Sequence, residues 1–179
     1  MMSRKRTMVM IVLATSTILL SLSACSVLPL SHGKDLKEKA LTVAQFMERD
    51  MIASMTEGEP LDRDFASSTF IDKAYSQFDD ISHWEIRLTR LKPRMVQNAP
   101  DRYEITQMQI MEADSQIKES FSNEAVDGDW VYRFMYPLYF DESCLTCHGG
   151  TKGESDITGY TKEGASAGEF AGAISIILK

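Results

Sequence analysis

Apolar residues recur at steps of three and four between Asp35 and Met55. Leu36, Ala40, Val43, Ala44, Met47, Met51 and Met55 make one stripe, and Glu38, Lys39, Glu48 and Arg49 lie away from it. That period predicts an amphipathic helix, closed by Gly58 and Pro60. A shorter helix is expected from Ser67 to Phe78. Phe70, Ile71, Ala74 and Phe78 form its apolar face, Ser67 or Ser68 caps it, and Asp79-Asp80 ends it. From Ile81 to Thr89 the period drops to two: Trp84, Ile86 and Leu88 alternate with His83, Glu85, Arg87 and Thr89. This predicts a half-buried strand. Two prolines and several cations make residues 90–101 a loop. Pro100 suits the first position of a helix running to about Ala113, with Ile105, Met108 and Met111 at helical spacing. Residues 115–129 are ambiguous, with room for one weak strand and a turn at Asp127-Gly128. Trp130 to Phe140 reads as a strand with Trp130, Tyr132, Phe134 and Tyr136 on one face. Residues 149–168 form a glycine-rich loop. Phe170 to Leu178, apolar almost throughout, reads as a central or buried strand. The order predicts an α+β chain: an antiparallel sheet backed by N-terminal helices.

The N-terminus changes the picture. Arg4-Lys5-Arg6 precedes an apolar run from Thr7 to Leu22, too short and too soft for a comfortable membrane span. The run ends in Leu22-Ser23-Ala24-Cys25, the pattern of a bacterial lipobox, in which the cysteine takes a diacylglycerol. Residues 1–24 are then a lipoprotein signal peptide and 25–33 a tether lipidated at Cys25. Residues 34–179 are one domain of suitable size for a single core. Several acyl chains on Cys25 anchor stably, at about 0.8 kcal/mol per buried CH₂. Ser26, where Asp would resemble an inner-membrane retention signal, leans the expected address toward the outer membrane, facing the periplasm. Losing the three leader cations takes the formal charge from −7 to −10. So acidic a chain carries no electrostatic footprint for nucleic acid or anionic lipid.

The candidate chemistry lies in Cys144-Leu145-Thr146-Cys147-His148. Two thiols three positions apart can form thioethers with the two vinyl groups of one porphyrin, and the next histidine can supply an imidazole to the iron. This is the pattern of a c-type haem attachment site, with one covalent haem c as the expected cofactor. Other readings stand beside it. Half a zinc site would need a second Cys or His pair. A thioredoxin-like redox pair would need a βαβ unit, and a plain disulfide would need only the two thiols. With Cys25 assigned to lipid, no cysteine remains for a structural disulfide. A small all-helical cytochrome usually carries its motif near the N-terminus, whereas here it lies near the C-terminus.

His148 is the expected proximal ligand. For the far side of the iron, His83 shares its strand phase with Glu85 and Arg87, which marks it as surface-facing, and His32 lies in the tether. The mature chain holds seven methionines. Met47, Met51 and Met55 share one helix face, a pattern also typical of plain core. Met51 is the candidate sixth ligand, and a vacant or water-bound iron is the alternative. Arg87, Arg90, Lys92, Arg94 and Arg102 cluster along one loop. A plain solvated loop is one reading of that cluster; in the other it serves the haem propionates, with Arg94 as the expected partner, so that replacing it should shift the reduction potential.

The chain resembles the haem-c-binding, PAS-like sensor domains of cyanobacterial and proteobacterial proteins, often the periplasmic half of histidine kinases and chemotaxis receptors. The matching residues are Leu91-Lys92-Pro93-Arg94, Asn98-Ala99-Pro100-Asp101 and Glu104. They continue with Tyr136-Pro137-Leu138, the Cys144–Gly149 run, Gly159-Tyr160, and Gly168 to Ile176. Two departures stand out. Met95-Val96 replaces the family's usual Asn-Pro. No spare cysteine exists for the sixth ligand that some members carry in the N-terminal helical part. The resemblance implies a redox or gas sensor acting through a partner protein. The alternative is an electron-transfer cytochrome working with redox partners. No catalytic role is expected, because no His/Arg or acid–base set is spaced to serve a peroxide.

Overall fold

The computed structural model describes residues 30–57, 68–126 and 128–178. The leader, Cys25, Ser26, the helix stop at Gly58 and Pro60, Ser67 and Asp127 lie outside the described residues.

The first helix, α1, runs Leu30–Glu57. It starts earlier than its apolar stripe does, so residues 30–33 of the expected tether are helical. Ala40, Val43, Ala44 and Met47 are fully buried along that stripe. The second helix, α2 (Ser68–Gln77), packs on α1 through Phe70 and Ala74. Residues 79–81 form a short 3₁₀ turn, so the strand expected from Ile81 begins only at Glu85: β1 is Glu85–Thr89.

Helix α3 (Arg102–Ala113) starts differently from expectation. Asp101, not Pro100, fixes its beginning. The Asp101 carboxylate accepts from the Glu104 N–H, and the Glu104 carboxylate accepts from the Asp101 N–H. This capping box satisfies two N–H groups that helix geometry leaves free, and Pro100 stands just outside it. The ambiguous region resolves into β2 (Ser120–Val126), which turns through Gly128 into β3 (Asp129–Tyr139). Gly128 has φ +95°, which glycine adopts without strain. After the motif and its loop comes β4 (Phe170–Leu178).

The sheet is antiparallel throughout, in the order β1-β4-β3-β2. The apolar β4 is therefore central, with β1 on one side and β3 on the other. One sheet face carries Trp84, Ile86, Phe134, Ile174, Ile176 and Leu178 against α1 and α2. Burying each such side chain contributes about 1.5–3 kcal/mol. Trp130 shares the strand phase of Phe134 but sits beside the β2–β3 turn and is 75% exposed. The other face holds α3 through Met108, Met111, Met135 and Ala173. Helices thus cover both faces, one more layer than N-terminal helices alone provide.

The α3 face also buries charge. Glu104 is fully buried; its carboxylate lies 3.6 Å from Arg133 and accepts from the Thr89 hydroxyl at 3.3 Å. Arg133 bonds Asp101 at 2.7 Å and Glu124 at 3.1 Å and lies over the Tyr103 ring. Among the described residues no helix is long and apolar enough to cross a membrane.

Candidate functional site

The site lies where β3 ends. Asp141 opens a tight turn: its carboxylate accepts from the Ser143 N–H and hydroxyl, and its carbonyl accepts from the Cys144 N–H at 3.0 Å. The turn flows into the single helical turn α4 (Leu145–His148), which closes as the Gly149 N–H bonds the Leu145 carbonyl. A Cβ on Gly149 would come within 2.9 Å of both the Leu145 carbonyl and its Cβ, so only glycine fits there. This geometry puts Cys144, Cys147 and His148 along one wall of a cleft. Both thiols are free, and burial pushes both up from their ordinary value.

Met51, Ile52 and Met55 of α1 line the same cleft, with Phe70 of α2 and Leu88 and Leu138 from the sheet. Glycine at position 172 is required. It has φ +148°, and a Cβ there would lie 2.4 Å from the Thr89 carbonyl oxygen, so β1 and β4 close up only around glycine. Loop residues Arg90, Arg94 and Met95 complete the mouth.

Arg94 lines the cleft, and its guanidinium is also held by the chain's own groups. Its Nε and Nη2 donate to Glu163 at 2.7 and 2.6 Å, its Nη1 to Asp156 at 2.6 Å, and its Nη2 to the Cys147 carbonyl at 2.8 Å. The cation that the sequence offered to a haem propionate is committed to two carboxylates of the chain's own loop. Arg90 joins it, donating to Glu163 at 2.9 Å. Burial raises the Glu163 carboxyl, but hydrogen bonds from Arg94 and His148 outweigh that and hold it at about 2. Asp156 behaves alike. Burial raises it, while Thr158 (N–H and hydroxyl), the Tyr160 N–H and Arg94 bring it to about 2.

Burial, then the nearby Arg94, lowers the His148 pKa below its ordinary value against the opposing pull of Glu163, which favours the neutral ring. Its Nδ1 stands 2.9 Å from Glu163 Oε2. An ionised carboxylate can only accept, so Nδ1 carries the ring hydrogen and Nε2 keeps its lone pair. Such a carboxylate behind an imidazole is the usual arrangement of a metal-binding histidine. The Phe140 ring, 4.9 Å away between centroids, packs against the imidazole.

The residues present fit a covalent haem. Two free thiols and an imidazole with one bare nitrogen share a turn beside an apolar cleft. Among the described residues, no three His, Cys, Asp or Glu side chains gather as a ligand set for a bare ion. Met51 lines the cleft, as do Met55 and Met95, while Met47 is buried core and His83 is exposed. Sequence reasoning missed Glu163 and Asp156, and named Arg90 only as one cation of the loop cluster. Asp156 and Glu163 are two of three acids in a loop with no period, and only their return to Arg94 marks them.

Comparison with curated proteins finds no match. Among solved structures, the chain is similar to the cyanobacterial heme-protein Tll0287. The TM-score is 0.60 at 16% identity, over 81% of this chain and 94% of that one, a likeness of fold. The family model Tll0287-like matches residues 31–178, from the start of α1 to the end of β4. The chain therefore belongs to the Tll0287-like family.

Proposed function

We propose that this chain carries one haem, bound through thioethers to Cys144 and Cys147 with Nε2 of His148 on the iron, and acts as a redox or gas sensor module of the cell envelope. The observation that carries the reading is the His148–Glu163 contact of 2.9 Å, which leaves Nε2 bare on the same turn as two free thiols. The similar solved protein is a heme-protein by its own title, which supports the same chemistry here. A bound haem supplies reversible one-electron exchange at iron and a coordination position for a small gas. The chain's residues do the rest. Cys144 and Cys147 fix the group to a turn already locked by Asp141 and Gly149. Met51, Ile52, Met55, Leu88 and Leu138 keep water from the cleft.

The sheet with α1 and α2 on one face suits a PAS-like input domain, whose output would pass through a signalling partner. Lipid on Cys25 would hold the domain at a membrane facing the periplasm, in keeping with the lipobox, and Ser26 favours the outer membrane. The reading includes no enzymatic step and no nucleic-acid partner. A second reading, an electron-transfer cytochrome, is favoured by Met51, Met55 and Met95 in the cleft wall. A Met/His pair raises the potential and keeps gases out.

The test is expression of the full chain with a c-type maturation system. One haem per chain should survive denaturing electrophoresis and add its mass to the polypeptide. Cys144→Ala and Cys147→Ala should each lose a thioether. A wild-type chain with no covalent haem sinks the proposal. Ready CO or NO binding, or a ligand change on reduction, supports sensing; an inert low-spin haem with reversible one-electron exchange supports electron transfer.

A further inference from the structure

The loop after the attachment turn folds back onto it. Ala165 donates its N–H to the His148 carbonyl at 2.9 Å, and Glu163, two residues earlier, turns its carboxylate to the imidazole. That carboxylate is itself gripped. Oε1 accepts from Arg90 Nη1 at 2.9 Å and Arg94 Nε at 2.7 Å, and Oε2 accepts from Arg94 Nη2 at 2.6 Å. Arg94 is anchored in turn by Asp156 and by the carbonyl of Cys147, the residue before His148. The group behind the imidazole therefore cannot swing away without breaking several charged hydrogen bonds.

An imidazole that donates Nδ1–H to a carboxylate gains electron density at Nε2 and is held in one ring orientation. A carboxylate that shares its charge with two guanidinium groups pulls less strongly on that hydrogen than a free one. Two opposed influences thus meet at one oxygen, Glu163 Oε2.

We propose that Glu163 is a positioning and tuning residue for His148: it fixes the imidazole through Nδ1 with Nε2 as donor, and Arg90 and Arg94 set how strongly it does so. The inference rests on the haem reading above. It requires no bond to form or break and no group to titrate. Its rival is a purely structural Glu163 that only neutralises Arg90 and Arg94 and ties down the loop.

The test uses the full haem-loaded chain in detergent, with three readouts: midpoint potential, the iron–imidazole vibration by resonance Raman, and thermal midpoint. Glu163→Gln keeps the size and an acceptor oxygen but removes the charge. Its potential should rise, favouring ferrous iron up to about tenfold, or about 59 mV for a one-electron couple. The iron–imidazole frequency should fall. A lower thermal midpoint with potential and vibration unmoved would mean a structural role and overturns the proposal. Arg90→Gln keeps the Glu163–His148 contact while removing one cation from Glu163, so the potential should move the opposite way and the frequency should rise. It serves where Glu163→Gln does not accumulate, and a potential that stays put or rises in that variant also overturns the proposal. The wild-type measurement separates the two claims: no covalent haem there ends the haem reading, whereas a loaded wild type with unmoved variants ends only the Glu163 role.

Discussion

Arg94 Nη2 donates to the carbonyl oxygen of Cys147 at 2.8 Å, across 53 positions of sequence. The bond ties the loop before α3 to the backbone of the attachment turn, and the two carboxylates of the following loop hold the same guanidinium.

Arg94→Ala should therefore loosen two loops at once. It leaves Asp156, whose side chain is wholly buried, without its cation. Removing one partner of a buried ion pair costs about 3–5 kcal/mol, and the partial exposure of Glu163 places this case at the lower end. Urea unfolding of the haem-free chain should show that loss. Arg94→Lys, which cannot reach Asp156, Glu163 and Cys147 together, should recover only part of it.

Acid should attack the same cluster. The folded-state pKa of Asp156 lies at about 2, below its ordinary 3.8. A depressed carboxyl stabilises the fold fully above its ordinary pKa and loses that contribution as pH falls toward the folded value. Stability should thus decline from about pH 4 to about pH 2. In Asp156→Asn the denaturation midpoint should start lower at neutral pH and fall less steeply across that window. An unchanged slope would show that the carboxylate lends no pH-dependent stability.

Gly172→Ala should cost about 2–4 kcal/mol, since it combines an overpacked contact with a disfavoured backbone angle. Its Cβ would strike the Thr89 carbonyl oxygen at 2.4 Å, between two paired strands. Hydrogen exchange should report the damage as faster exchange of β1 amides, with β2 protected as before.

Glu104→Ala should destabilise the α3 face by about 1–3 kcal/mol, because it takes the acceptor from the buried Thr89 hydroxyl, removes one of the three carboxylates around Arg133 and deletes half of a capping box. The absorption spectrum of the loaded chain should stay as it is, which separates this buried network from the cleft.

With Met51 as the sixth ligand, Met51→Ala should convert a low-spin haem to a high-spin one, while Met55→Ala keeps the low-spin spectrum. A spectrum untouched by Met51→Ala removes that residue from the iron.

Periodicity located α1, α2, β3 and β4 because each buries a regular face, and the capping-box signature at Asp101 and Glu104 was present in the chain beside the more conspicuous Pro100. Strand β2 was legible only as room for one weak strand before a turn. Ser120–Val126 lies at a sheet edge and, among the described residues, pairs with β3 alone, so little of its pattern records burial. The site was legible where its chemistry is contiguous, at Cys144–His148. It was hidden where chemistry depends on return of the chain. Nothing local distinguishes Glu163 from its neighbours, and Arg94 looked like a cation for an external acid because its own acids lie 62 and 69 positions away.

The central place of β4 sets an order of events. Among the described residues strand β1 has no neighbour in the sheet except β4, which follows the attachment turn in sequence. A chain emerging N-terminus first exposes Cys144 and Cys147 while β1 still lacks a partner and one wall of the cleft is missing. Arrival of residues 170–178 gives β1 its partner and completes the wall of the cleft that Ala171, Gly172 and Ala173 line.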